Sequence, residues 1–376
     1  MAHDKKSYRV AKMYSYTCLH GYMFANRKTG LTKLPNSSID DMKPWILYFI
    51  VCFFAMACNQ KPAPPDVSHI AVPLQTIRFE QAFFKLDTNS IDHSLGQLHQ
   101  SYPGFTQDFL FNILGTAPNT DTAAHDVKQF IATYKGLYDT AQKVFANWAP
   151  IEKEVHEGLQ RVKYYFPKYA APTKLITFIG PLNSYGNIIT QDALAIGLQL
   201  YLGKNCSIYT SDQGVQMYPQ FISRKFEPAY IATNCMKNIV DDMFAANHMG
   251  QPLVEQMIEL GKKIYLLDVL LPNTPDSIKI GYTQQQLTEC LENEKNIWSF
   301  FVQNDLLYAN DLSLIAPYVT DGPKTETLGS RAPGNIGSFV GWQIVKKWMR
   351  QNAQRTPELL MQTNAKVLFQ ESKYKP

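Results

Sequence analysis

The sequence predicts a helix-rich α+β domain with one small sheet. Apolar residues recur at helical spacing through most of the chain after residue 90. Only two runs, residues 174–179 and 193–202, predict strong strands, the second through its alternating apolar residues. Hydrophobic residues make up 45% of the 376 residues, which is enough for a sizeable core. We therefore predict that residues 74–376 form a single α+β globular domain.

An uncharged apolar run at residues 45–58 reads W-I-L-Y-F-I-V-C-F-F-A-M-A-C and follows a basic residue, Lys43. The run is shorter than the roughly 20 residues of a membrane-spanning helix, and its flanks are those of a secretory signal. Small residues before Cys58 form a loose lipobox, the sequence at which bacterial lipoproteins are lipidated. Residues 42–57 are therefore predicted to be a lipoprotein signal peptide, and Cys58 the lipidation site. An uncleaved anchor helix or a buried core helix is the alternative.

The segments on either side of this signal contain no predicted domain. Residues 1–41 show no sustained period, which predicts a disordered tail or a wrongly assigned start, with translation beginning at Met42. After Cys58, the prolines of N-Q-K-P-A-P-P-D favour an extended, semi-rigid tether over residues 58–73. A short strand around Ile77 then opens the domain.

The net charge and the cysteines argue against some classes of function and of site. Residues 1–57 hold 8 of the 36 Lys/Arg and 3 of the 32 Asp/Glu, so the rest of the chain carries a net charge of −1. That balance gives no reason to expect nucleic-acid binding. Beyond Cys58 the cysteines are Cys206, Cys235 and Cys290. Their odd number and wide spacing predict buried free thiols rather than a disulfide framework or a metal site.

Helices are predicted on both sides of the two strong strands. Before them, residues 90–166 show helical spacing, with a break at Pro103-Gly104 and a new start at Pro150. The two strands are expected to be neighbours in one sheet, because consecutive strands usually pair. After them, apolar spacing predicts helices at 227–243, 252–271, one capped by Thr283, 333–349 and 357–370.

Three glycines share one face of the helix predicted at 333–349. Gly334, Gly337 and Gly341 recur at spacings of three and four, and Trp342 follows the last of them. Each glycine destabilises a helix by roughly 1 kcal/mol relative to alanine, so three together need an explanation. Close approach of another backbone is the simpler explanation, and a partner pressed onto this face is the alternative.

The sequence contains no strong catalytic motif. There is no Walker loop, no G-x-G-x-x-G and no G-x-S-x-G. A zinc site of the H-E-x-x-H class needs two histidines four residues apart, and no pair after Cys58 has that spacing. His156 begins H-E-x-x-Q, which lacks the second ligand and indicates a solvated helix face. We therefore predict no catalytic residue, no metal site, no cofactor and no enzymatic activity.

Several motifs occur in an order that resembles a known family. They are the lipobox at Cys58, I-G-L-Q-L-Y-L-G at 196–203, F-E-P-A-Y-I at 226–231, M-I-E-L-G-K-K-I-Y at 257–265, P-G-N-I-G-S-F-V-G-W-Q-I-V at 333–345 and the ending S-K-Y-K-P. Together they are similar to the gliding-motility lipoprotein GldB family from about residue 75 to the end. The resemblance implies an exported, lipid-anchored protein required for gliding. It also implies a link to secretion and adhesin transport, without an established catalytic activity.

The expected partners follow from the lipobox and from this resemblance. We expect attachment to a membrane through a lipid anchor at Cys58, protein partners in the cell envelope, and no nucleic acid. The lack of acidic residues directly after Cys58 favours the periplasmic face of the outer membrane over the cell surface. A lipid-anchored protein that binds a peptide or a glycan is an alternative.

A weaker similarity links such proteins to zincin-type metallopeptidase domains and implies a degenerate zincin-like fold. In that arrangement residues 193–202 form the strand along the cleft, and Glu227 and Glu259 lie on the two helices that face it. The first of these helices has no histidine, so a membrane-tethered metallopeptidase is only the alternative function. We expect the cleft to hold a partner segment instead, added as a strand along 193–202.

Overall fold

A computed structural model describes most of the predicted domain. It covers residues 63–117, 120–190, 193–245, 250–352 and 354–376. The predicted N-terminal tail, the predicted signal peptide and Cys58 lie outside the described residues. The compact unit discussed below spans Pro64–Pro376.

Four short strands form one mixed sheet. They are β1 (Gln75–Arg78), β2 (Lys174–Phe178), β3 (Asn187–Ile189) and β4 (Ala193–Gly197), in the spatial order β1-β2-β4-β3. β1, β2 and β4 run parallel, with Leu175 beside Leu194, whereas β3 runs antiparallel to β4. The two strands predicted most strongly are therefore neighbours, as expected. The predicted α+β class with one small sheet is confirmed.

The strand predicted at 193–202 is wrong in its second half. β4 ends at Gly197, and a 3-10 turn follows at Leu198–Leu200. The buried side chain of Gln199 holds this turn against the loop after β2. Its Oε1 accepts a hydrogen bond from the Gly180 amide at 3.0 Å, and its Nε2 donates to the Tyr185 carbonyl at 3.1 Å.

Helices make up most of the unit. Before β2 they are α1 (Phe79–Phe83), α2 (Ile91–Ser101), α3 (Pro103–Gln107), α4 (Thr120–Val144) and α5 (Ala149–Tyr165), with a π-helical turn at Asp108–Ile113. After β4 come α6 (Ser207–Thr210), α7 (Asp212–Met217), α8 (Gln220–Ser223), α9 (Ile231–Met243), α10 (Leu253–Leu270) and α11 (Asp276–Ile280). The chain continues with α12 (Gln284–Glu292), α13 (Glu294–Gln303), α14 (Leu312–Val319), α15 (Ile336–Arg350), α16 (Pro357–Gln362) and α17 (Ala365–Ser372).

Local sequence explains several helix starts. Pro150 lies in the first turn of α5, where a missing amide hydrogen leaves no bond unmade. Thr283 and Gln286 form the reciprocal capping box that opens α12. The helix predicted at 227–243 begins only at Ile231, because a 3-10 turn at Pro228–Tyr230 precedes it.

Helix α10 belongs to two hydrophobic cores. One core surrounds the sheet, and the other lies among α10 and the helices from α12 onward. Leu266 and Leu270, in the C-terminal half of α10, are buried in the first core. Leu253 and Met257, in its N-terminal half, are buried in the second. The helix therefore runs through the interior of the whole unit.

Residues 67–72, which the sequence assigns to the tether, pack onto α5. Val67 and Val72 are buried, and Val72 belongs to the core that includes α5. Gln160 Nε2 donates to the Ile70 carbonyl at 2.9 Å, and His156 Nε2 lies 3.0 Å from the Val72 carbonyl oxygen. The packed part of the unit therefore includes Val67, ahead of the predicted boundary at residue 74.

Candidate functional site

A groove of about 600 Å³ lies on one face of the sheet, beside β1. Gln75 and Ile77 of β1 line it together with Lys174 and Ile176 of β2. These four side chains share a face because the register places Gln75 beside Lys174 and Ile77 beside Ile176. Residues 101–105 and Asp108, around the turn between α2 and α3, form the opposite wall.

Aromatic rings close the inner end of the groove. Phe79 is fully buried, and the Phe105 ring packs edge-on against it with the centroids 4.8 Å apart. The half-buried Tyr102 ring makes a second edge contact with Phe79 at 5.8 Å. Half-buried Asp108 and Lys174 place both signs of charge at the rim. An apolar inner end with a polar rim suits a chain segment that inserts one apolar side chain.

Within the described residues, β1 is an edge strand of the sheet. The Gln75 amide donates to the Thr173 carbonyl at 2.9 Å. Because backbone groups alternate in direction along a strand, the N–H and C=O groups of Gln75 and Ile77 point toward β2, and those of Thr76 point away from it. No described residue makes a backbone hydrogen bond with Thr76 on that outer side. A free amide and carbonyl beside a groove are the groups to which an extended partner adds as a strand.

The edge predicted along 193–202 is wrong. β4 lies between β2 and β3, and it is paired on both sides. All five of its residues are buried, as is usual for parallel strands covered on both faces. A partner strand therefore has no access to β4, and β1 is the edge that adjoins the groove.

A buried ion pair fixes the end of β1. Arg78 Nε donates to Glu80 Oε1 at 2.7 Å, and Thr177 Oγ1 of β2 donates to Glu80 Oε2 at 2.5 Å. Burial raises the pKa of the Glu80 carboxyl, and the positive charge of Arg78 opposes that rise. Arg78 also lies over the Trp148 ring, 5.4 Å from its centroid. Because the fold itself satisfies both Glu80 oxygens, the pair anchors the strand.

The two glutamates expected to share a cleft each pair with a lysine. Glu227 Oε1 lies 3.2 Å from Lys204 Nζ, and the residue precedes α9 instead of lying on it. Glu259 Oε1 on α10 accepts from Lys262 Nζ at 2.7 Å. Lys262 is only 1% exposed and also donates to the Thr363 carbonyl at 2.6 Å. Both carboxylates thus have partners within the fold.

Gly337 and Gly341 lie where α15 meets neighbouring backbone. A β-carbon on Gly341 would overlap the Met257 carbonyl of α10. One on Gly337 would lie 2.7 Å from the Tyr318 carbonyl oxygen of α14. Side chains do not fit against backbone at such distances, so helix packing accounts for both glycines.

Gly334 is not on the helix to which the sequence assigns it. Helix α15 begins at Ile336, and Asn335 before it has a left-handed conformation with φ 57°. That conformation interrupts the helical path, so Gly334 cannot continue the face of the other two glycines. A β-carbon on Gly334 would instead overlap the backbone of Gly322.

Trp342 lies in a buried charged network that joins α10, α11 and α15. Its Nε1 donates to Asp268 Oδ2 at 2.8 Å, and Lys346 Nζ lies 3.1 Å from its ring centroid. Lys279 Nζ lies 3.2 Å from Asp268 and 3.1 Å from Asp276. Burial raises the pKa of the Asp268 carboxyl, and the charges of Lys346 and Lys279 oppose the rise.

The structure also shows the surroundings of His156 and of the three cysteines considered from the sequence. His156, predicted on a solvated face, is half-buried because residues 67–72 cover that part of α5. Cys206, Cys235 and Cys290 are free thiols, and Cys235 and Cys290 are buried as predicted, whereas Cys206 is only half-buried. Among the described residues, no three His, Cys, Asp or Glu side chains group in a way that could hold a metal ion. None of the helices in that part of the chain combines the length and hydropathy needed to cross a membrane.

Comparison with known proteins gives a family for the chain. The family model described as gliding motility protein GldB matches residues 60–376. The chain belongs to the GldB family. The predicted resemblance to that family is thereby confirmed, and its zincin-like aspect stays a prediction. No curated protein and no solved structure matches the chain.

The match to the GldB family model covers the whole described unit. The matched range includes the sheet, the groove and the crossing of α10 with α15. The family indicates a gliding-motility accessory protein of the cell envelope. The match assigns no role to any single residue, so the groove is defined by geometry alone.

The groove is the part of this GldB-family chain that sequence reasoning missed. The spacing around Ile77 predicts the strand, and Pro103-Gly104 predicts the break between two helices. Nothing in either pattern places the strand and the break on opposite walls of one cavity. The feature of the sequence that bears on the groove is the short length of β1, which ends where Phe79 begins a helix.

Proposed function

We propose that this GldB-family protein is lipid-anchored at Cys58 and acts in the gliding and secretion apparatus by binding a protein segment along β1. The family match supports the role in gliding. The loose lipobox supports the anchor, with the periplasmic face of the outer membrane as the site of action. One observation carries the binding mode, namely that the outward backbone of Thr76 lies beside the groove.

The proposed ligand is an extended segment of an envelope protein. Its main chain bonds the free amide and carbonyl of Thr76, as in strand addition. Alternate side chains of an added strand point to the same face, so one of them can enter the groove beside Gln75 and Ile77. The Phe79 and Phe105 rings at the inner end favour an apolar side chain there.

We also propose that the protein is not an enzyme. Glu227 and Glu259 each pair with a lysine, which favours a structural use of these carboxylates. The metallopeptidase alternative needs bound zinc, so the purified full chain should contain no stoichiometric zinc and cleave no peptide. Zinc at one equivalent, with cleavage lost on chelation, would contradict this part of the proposal.

Proline at position 76 tests the binding mode. Thr76→Pro removes the outward amide and leaves the bonds from Gln75 and Ile77 to β2 intact. We expect the urea midpoint to change little and gliding on agar to be lost. A stable Thr76→Pro protein that supports normal spreading would overturn the β1 site.

The opposite edge of the sheet supplies a matched control. The backbone amides of Thr190 and Gly197 form hydrogen bonds between β3 and β4. By the same alternation, the Ile189 amide points away from β4. Ile189→Pro should preserve gliding if β1 is the binding edge. A photo-crosslinker at exposed Gln75 should give an adduct in membranes that Thr76→Pro abolishes and Ile189→Pro retains. Equal loss in both variants would show that β1 has no special role.

A further inference from the structure

Buried polar atoms without a hydrogen-bond partner are concentrated beside β1. Eight side-chain atoms of the described residues are of this kind, and four of them are Thr76 Oγ1, Arg78 Nη2, Gln142 Nε2 and Trp148 Nε1. Buried polar groups in folded proteins nearly always have a partner, so their concentration at one place needs an explanation. We call these four side chains the donor cluster.

Contacts between side chains hold the donor cluster together. The guanidinium carbon of Arg78 lies 5.4 Å from the Trp148 ring centroid, and Arg78 Nη1 donates to the Phe145 carbonyl at 3.4 Å. The Phe145 ring packs edge-on against that of Trp148, with the centroids 5.8 Å apart. Gln142 lies one helical turn before Phe145, and its Oε1 accepts from Gln81 Nε2 at 2.8 Å. One nitrogen each of Arg78, Gln142 and Trp148 is left as an unused donor.

The donor cluster lies on the face of β1 opposite to the groove. Gln75 and Ile77 line the groove, so Thr76 and Arg78, which alternate with them, direct their side chains to the other face. A strand added along the outer side of β1 has its own side chains on the same two faces. When one of these enters the groove, the next one along the added strand projects beside Thr76 and Arg78.

The chemistry of the donor cluster selects the side chain that fits it. The nitrogens of Arg78, Gln142 and Trp148 can only donate, and the Thr76 hydroxyl can donate as well. A carboxylate accepts through both oxygens and has no donor of its own, whereas an amide side chain would bring further N–H groups that need acceptors. Trp148 is only 7% exposed, and a charged acceptor forms strong hydrogen bonds in such a shielded place.

We propose that the segment added at β1 carries an aspartate or glutamate next to its apolar residue, and that the donor cluster binds this carboxylate. The inference rests on the proposed addition of a strand at β1. It gives the partner a sequence pattern, in which an apolar side chain enters the groove and an acidic neighbour faces Arg78 and Trp148. Glu80 leaves this role open, because it pairs with Arg78 through Nε and not through Nη2.

Two synthetic peptides test the proposal on the purified full chain. Both have seven residues of valine and threonine with one leucine for the groove, followed by aspartate in one peptide and asparagine in the other. We expect the aspartate peptide to bind at least about tenfold more tightly, and Thr76→Pro to abolish binding of both. The indole N–H signal of Trp148 in NMR spectra, identified by its loss in Trp148→Phe, should shift more with the aspartate peptide.

A glutamate inside the donor cluster supplies the matched variant. Gln142→Glu keeps the size of the side chain but opposes a second carboxylate, so it should remove the preference for aspartate. Gln129→Glu, the same change at an exposed position of α4, should preserve the preference. Urea unfolding verifies that both variants are folded.

The outcomes separate this inference from strand addition itself. Equal affinity of the two peptides, with binding abolished by Thr76→Pro, would overturn the carboxylate site and leave strand addition at β1 standing. An unmoved indole signal, or an aspartate preference that survives Gln142→Glu, would also overturn the carboxylate site alone. Binding of neither peptide up to about 1 mM would overturn both proposals.

Discussion

Gly261 of α10 and Gly341 of α15 face each other where the two helices cross. A β-carbon on Gly261 would overlap the backbone of Gly341, and one on Gly341 would overlap the carbonyl of Met257. The two backbones are therefore in direct contact, and the absence of a side chain on both helices permits it. This crossing sets the distance between α10 and α15 and with it the packing of the helical core.

Gly341→Ala should destabilise the protein by about 1–3 kcal/mol or more, because the added methyl forces the two backbones apart. The measurement is the free energy of unfolding in urea. Gly136→Ala in α4 is the control, since nothing lies within 4 Å of its β-carbon position. It should stabilise by about 0.5–1 kcal/mol through the better helix propensity of alanine. Similar effects at both positions would argue against the close contact.

Glu259→Gln should lower the free energy of unfolding by about 1–3 kcal/mol, because the glutamine oxygen can still accept a hydrogen bond from buried Lys262 but no longer neutralises its charge. Lys262→Met in the same chain should recover part of the loss, since it removes the unpaired charge. Gliding should persist as long as the protein folds. Unchanged stability with lost gliding would give Glu259 a functional role instead.

Glu80 should make stability depend on pH. Its pKa in the folded protein lies above the ordinary value of 4.5, because burial disfavours the carboxylate. The resulting stabilisation is full below pH 4.5 and is lost as pH rises through the folded pKa. It amounts to about 1.4 kcal/mol for each tenfold difference between the acid dissociation constants of the folded and unfolded chains.

The unfolding free energy of the parent protein relative to Glu80→Gln should therefore fall between pH 4.5 and neutrality. Urea titrations of both proteins across that range measure the difference. Exposed Glu292, as Glu292→Gln, serves as the control. A flat difference for Glu80→Gln would contradict the argument.

Cys58→Ser should release a folded protein from membranes, since each buried CH₂ of a lipid chain contributes roughly 0.8 kcal/mol to attachment. The measurement is sedimentation with membranes in high salt, with circular dichroism to verify folding. Gliding should be lost although β1 and the groove are unchanged. A variant that still sediments with membranes would show that residues 45–58 act as an uncleaved anchor.

Sequence patterns predicted the elements that are determined by residues close to one another in the chain. The strands around Leu175 and Leu194, the cap at Thr283 and the start at Pro150 follow from alternation and from backbone preferences. The helix predicted at 252–271 matches α10 within one residue at each end. Each of these signals is contained within about one turn or one strand of sequence.

Two of the errors involve contacts between residues that are distant in sequence, and the one at Gly334 is local. β4 ends early because the Gln199 side chain bonds the loop after β2, which no alternation rule includes. Gly334 leaves the helix because Asn335 is left-handed. The groove depends on β1 and the α2–α3 turn meeting in space, and the order of strands decides which edge is free. Such facts follow from topology, which a single sequence specifies only weakly.

Helix α10 places Leu266 in one core and Met257 in the other, so neither core is complete without it. We therefore expect the two halves of the unit to unfold together, so that amide hydrogens at both ends of α10 exchange only through global unfolding. The sheet and the helical end should therefore lose their structure in one cooperative step.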